Sequence, residues 1–69
     1  MSKLQDAKRQ AEDAIAYGRE MRDASIARDG VQRVIDRYQA SLRSSKEHAG
    51  DDSDIREALR YLYDLHRSL

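Results

Sequence analysis

Residues 7–21 read AKRQAEDAIAYGREM, and the fold turns on how they are taken. The residue types favour a helix. The positions that repeat at steps of three and four, Leu4, Ala7, Ala11, Ala14, Gly18, Met21 and Ser25, follow the spacing of a heptad seam. Most of them are small where a core helix usually carries leucine. Small side chains let a neighbouring backbone approach more closely than the usual helix separation of about 8–10 Å. Gly18 costs a helix interior about 1 kcal/mol relative to alanine, so close packing against a neighbour is expected to compensate for it. A kink at Gly18 is the alternative.

Outward from this stretch the whole chain keeps a helical period. Two breaks are expected. The first is RDG at 28–30, with Gly30 ending a helix, and the second is EHAGDDSD at 47–54, with Gly50 as a stop. The expected elements are therefore a long helix over about 2–28 and shorter ones over about 31–47 and 53–68. Asp51, Asp52 and Ser53 all suit an N-cap, and Asp54 adds negative charge where unpaired N–H groups point. The ligand spacing of a calcium loop is absent, so DDSD reads as capping.

On the second helix, Val31, Val34, Ile35, Tyr38, Leu42 and Ser45 share one side. On the third, Ile55, Ala58, Leu59, Leu62, Leu65, His66 and Leu69 fall together, with Tyr61 and Tyr63 on the shoulders. The first helix is apolar over more than one side: Ala14, Tyr17, Met21 and Ala24 form one flank, and Leu4, Ala11, Ile15, Arg22 and Ile26 mark another. The third helix or the same helix of a second molecule must cover what the second helix leaves bare.

Sixty-nine residues form one domain, 1–69, and a chain this short has a thin core. Domains of this size commonly lean on disulfides, a metal or a second subunit. There is no cysteine, which excludes disulfides and thiolate metal sites and leaves oligomerisation. The expected fold class is all-α: a long N-terminal helix plus two shorter ones, a helical hairpin or bundle completed by homodimerisation. Ala7, Ala11, Ala14, Tyr17, Gly18 and Met21 are the expected packing or dimer residues. Tyr17 and Met21 also suit adaptable contacts with another partner.

The 13 Lys and Arg balance the 13 Asp and Glu, and the zero net charge disfavours nucleic-acid binding. No apolar run is long enough to span a membrane. MSKLQDAKRQ lacks the apolar core of a signal peptide, so a cytoplasmic location is expected. The only histidines, His48 and His66, belong to no catalytic or zinc-binding motif, and no phosphate loop is present. The chain is expected to be no enzyme and to need no cofactor.

What stands out is DIREALRYLYDLHRSL at 54–69. Arg56, Arg60, Tyr63 and Arg67 lie at steps of four, three and four, a ridge of three guanidiniums around a phenol. Arginine and tyrosine are enriched at binding hot spots, and the guanidinium fork fits carboxylates and phosphates. The other reading is a solvated basic face balanced by Glu57 and Asp64, which the helical wheel sends roughly the other way.

In size and in its helix-rich halves, AKRQAEDAIAYGREM and DIREALRYLYDLHRSL, the chain resembles small phage-encoded inhibitors of host regulators. Among these it is most similar to the anti-quorum-sensing proteins of temperate Pseudomonas phages. The resemblance implies a cytoplasmic anti-activator whose target is a larger host protein, such as a transcription activator of the LuxR type or a pilus assembly ATPase. It has no diagnostic motif and assigns no residue. The expected partners are thus a second copy and a larger protein. Two other functions fit the residues less well: a small dimeric DNA-binding regulator and a structural coiled-coil component of an assembly.

Overall fold

The computed structural model describes residues 3–47 and 52–69, except for the side chains at 45–47. Three helices make up the described chain: α1 (Lys3–Glu20), α2 (Ala24–Glu47) and α3 (Ser53–Ser68). Contacts fix their directions. Lys3 meets Tyr38, Gln10 meets Arg37, Ala14 meets Gly30 and Gly18 meets Ala27, so α1 and α2 run antiparallel. Arg28 meets Leu69 and Gln39 meets Tyr63, so α3 returns antiparallel to α2. The result is an up-down-up bundle measuring 42 × 20 × 15 Å. Its length follows from α2, whose 24 residues extend about 36 Å at 1.5 Å each.

The first break differs from expectation. The first helix stops at Glu20 rather than at about residue 28, and α2 begins at Ala24 rather than at about residue 31. RDG at 28–30 is helix, not turn. The chain reverses at Met21–Asp23 by a Schellman ending, in which the Asp23 N–H donates to the Gly18 carbonyl at 2.9 Å and the Arg22 N–H to the Arg19 carbonyl at 3.1 Å. The left-handed position of that motif falls on Arg22, at φ 54°, where glycine is the usual occupant. Asp23 then caps α2: its Oδ1 accepts the Ser25 N–H at 2.9 Å and the Ser25 hydroxyl at 2.6 Å. A glycine signal at residue 30 thus outweighed, in the sequence, a cap carried by one aspartate.

Gly30 has another role. A Cβ placed on it would lie 2.6 Å from the Ala14 Cβ, and one placed on Gly18 would lie 2.7 Å from the Ala27 Cβ and 2.8 Å from the Ala27 nitrogen. Both glycines stay helical, and α1 is not split at Gly18. The backbone that lies against the small seam of α1 is therefore that of α2 in the same chain. A second copy is not needed to account for the alanines. Met21 and Ser25 leave the seam because the helix has already ended.

Above this hairpin sits the apolar core: Ala7 and Ala11 from α1, Val31, Val34, Ile35 and Tyr38 from α2, and Ile55, Ala58, Leu59 and Leu62 from α3. Ile15, Leu42, Tyr61, Leu65 and Leu69 pack around it, half-buried. Each fully buried Val, Ile or Leu contributes about 1.5–3 kcal/mol of apolar transfer, so α2 and α3 supply most of the adhesion. Tyr38 spans the core and donates its hydroxyl to the Lys3 carbonyl at 3.1 Å. Burial, with a smaller contribution from Asp6 that Arg37 opposes, raises its pKa. At α3 the expected boundaries hold: Asp52 is the N-cap residue, although its carboxylate pairs with Arg56 Nε at 3.1 Å rather than capping through the side chain. Gly50, Asp51 and His48 lie outside the described residues.

Two outcomes are expected from denaturant melts. Gly30→Ala should destabilise the fold by about 1–3 kcal/mol through overpacking, despite alanine's better helix propensity, and adding Ala14→Gly should restore part of the loss. Arg22→Gly should stabilise it by roughly 1 kcal/mol, because the left-handed conformation costs glycine little.

Candidate functional site

The arginine ridge lies on the outer face of α3. Arg56, Arg60, Tyr63 and Arg67 are all exposed, and Tyr63 retains 44% of its surface in solvent. Steps of four, three and four keep them on one side because the helix turns about 100° per residue. The opposite side, Ile55, Ala58, Leu59 and Leu62, is held in the core, which fixes the rotation of the helix.

The ridge borders a groove of about 330 Å³ lined by Leu42, Arg56, Leu59, Arg60, Tyr63 and Asp64. Its floor is aliphatic and its rim is charged. Leu42, from α2, comes alongside because α2 and α3 are antiparallel. Gln39, one turn before Leu42, donates its amide to the Tyr63 hydroxyl and so pins the ring. Arg67 stands further along the ridge and does not line the groove. Asp64, expected to point away from the arginines, lines the groove with them. Glu57 is exposed and lies outside it.

The charges on this face are unevenly paired. Arg56 Nε meets Asp52 at 3.1 Å, an exposed pair worth little. Arg60 and Arg67 form no ion pair among the described residues. Among the described residues, then, Arg60 has no carboxylate partner where it lines the aliphatic groove, and Arg67 has none further along the ridge.

The expected packing residues of α1 separate into two groups. Ala7, Ala11 and Gly18 are buried and Ala14 half-buried, all facing their own chain. Tyr17 and Met21 face solvent, 55% and 53% exposed, and are not buried within their own chain. The Met21 N–H still donates to the Tyr17 carbonyl at 3.0 Å, so the two side chains stand one helical turn apart. His66 is half-buried in the last turn of α3, and its carbonyl accepts the Leu69 N–H at 3.2 Å. Among the described residues no cluster of His, Cys, Asp or Glu is arranged to hold a metal ion, and no helix is long and apolar enough to cross a membrane.

A third surface feature lies at the reversal of the chain. Ile15, Gly18, Arg19, Asp23, Ala27 and Leu69 line a groove there, and Arg28 Nη2 donates to the Leu69 carbonyl at 3.0 Å. The hydrogen bond from the Ser25 side chain, then that from its N–H, holds the Asp23 pKa below the ordinary aspartate value.

Comparison with known proteins adds no relative: no family model matches the chain, and neither does any curated protein or solved structure.

Because the Asp23 pKa is depressed on folding, its contribution is complete above the unfolded-state value of about 3.9 and disappears as pH falls through the lower folded value. Asp23→Ala should therefore lower Tm by a constant amount between about pH 7 and 5, and the gap should narrow below about pH 4. Thermal melts across that range check it.

Proposed function

We propose that this chain is a non-catalytic, cytoplasmic protein–protein interaction module that works as a homodimer and inhibits a larger protein by covering a surface the target needs. The observation that carries the reading is the α3 face, where Arg60, without an ion pair among the described residues, stands beside Tyr63 and the Leu42–Leu59 floor, with Arg67 further along the ridge. That combination fits a protein segment carrying carboxylates around an apolar anchor. The arginines steer and orient the segment, while the aliphatic floor and the phenol ring supply buried area. Tyr63 is held by Gln39 before the partner arrives, which lowers the ordering cost of binding. The chemistry is steric and electrostatic, with no bond made or broken and no cofactor.

The resemblance to phage-encoded inhibitors of host regulators supports the direction of the effect and the choice of target, a host transcription activator or ATPase. Dimerisation is supported by the thin core and by Tyr17 and Met21, large apolar side chains left in solvent. Duplex DNA is a weaker fit: the net charge is zero, and Asp64 sits in the groove itself.

The test uses the double substitution Arg60→Ala with Tyr63→Ala. Both side chains are exposed, so stability should stay within about 1 kcal/mol of wild type. Affinity for a protein retained by the wild type should fall by about 2 kcal/mol or more by calorimetry. An unchanged affinity refutes the ridge as the binding surface, and a mobility shift on random DNA at low salt would favour the DNA-binding alternative.

A further inference from the structure

A groove of about 350 Å³ on the α1–α2 hairpin has no α3 residue in its walls. Ala14, Tyr17, Ile26, Asp29, Gly30 and Arg33 line it. Its floor lies where the two backbones come together, since Ala14 and Gly30 leave no room for another methyl group. A half-buried Ile26 and an exposed Tyr17 stand over that floor, with the exposed Met21 one turn beyond. The feature is thus a shallow hole with an aromatic knob beside it.

Its charges are self-complementary. Asp29 and Arg33 lie one turn apart on α2, and both are exposed. Residues at that spacing often pair within a helix, yet these two form no ion pair with each other or with any other described residue. A two-fold axis places residue i of one copy against residue j of the other and j against i. An axis passing between Asp29 and Arg33 therefore sets each aspartate against the other copy's arginine. The groove that both residues line, together with Tyr17 and Ile26, then faces its own copy across the axis.

We infer that this groove is the surface on which a second copy of the chain docks, with two reciprocal Asp29–Arg33 pairs and with Tyr17 and Ile26 as the apolar surface that the contact covers. The inference rests on the homodimer reading and assigns the face that reading leaves open. Of the packing or dimer residues expected from the sequence it keeps Ala14, Tyr17 and Met21, and it leaves Ala7, Ala11 and Gly18 to contacts within the chain. The α3 ridge stays free for the larger partner.

Charge reversal in two chains tests it. Asp29→Arg gives the groove two cations and Arg33→Asp gives it two anions, and both sites are exposed, so circular dichroism should show wild-type helicity for each. By sedimentation equilibrium the wild type should dimerise, and each variant alone should self-associate roughly tenfold or more weakly, because like charges then face each other. An equimolar mixture of the two variants should recover heterodimer near wild-type affinity. If either variant dimerises as well as the wild type, or if the mixture shows no rescue, this face is wrong while the homodimer reading survives. A wild-type chain that stays monomeric to about 1 mM overturns both and leaves the groove to a different protein.

Discussion

The close approach of two backbones, α1 and α2, sets the rest of the structure. Gly18 against Ala27 and Ala14 against Gly30 are two contacts in which a single extra methyl group has no room. They select one register for the hairpin, because sliding α2 by a turn would bring Val31 or Val34 against positions that accept only hydrogen or a methyl group. With the register fixed, Val31, Ile35 and Tyr38 are aimed into the core, and α3 lays Ile55, Leu59 and Leu62 over them. The other side of the hairpin is left with a small-residue floor. One packing constraint thus yields both a closed core and an open groove.

Much of this was legible in the sequence, for identifiable reasons. The inward faces of α2 and α3 followed from apolar spacing, and the start of α3 followed from the acids and serine of DDSD. The need for a near neighbour along Ala7, Ala11, Ala14 and Gly18 also followed, since small residues repeated along a helix seam make room for a backbone. The neighbour's identity did not, because the break was expected at RDG. A left-handed Arg22 leaves no compositional mark, and Asp23 is one acid among many in a chain where 38% of residues are charged. Gly30, the louder signal, answers to a contact with Ala14, far back in the chain, which helical period alone does not reveal.

The surface features divide in the same way. Arg56, Arg60, Tyr63 and Arg67 could be found from their spacing because they belong to one helix. Leu42, Gln39 and Asp64 join that face only once α2 and α3 are aligned. The groove of Tyr17, Ile26, Asp29 and Arg33 was out of reach. With the first helix drawn through residue 28, Ile26 belonged to the wrong element and Asp29 to a turn. Local chemistry was readable; juxtaposition across helices depended on where the chain reverses.

The poverty of α1 has a consequence of its own. Among the described residues it places two alanines in the core, with Ala14 and Ile15 at the edge, and is otherwise tied by Gln10 to Arg37, by the Lys3 carbonyl to Tyr38 and by Lys8 over the Tyr61 ring at 5.6 Å. Shape complementarity, which vanishes once surfaces part by a water's width, does for α1 what greasy bulk does for its companions. A close fit of this kind is lost steeply with distance, so α1 keeps its place only while the two backbones stay in contact. Tyr17 moves with α1, so the shape of the groove it lines depends on the fit of Gly18 and Ala14 against α2.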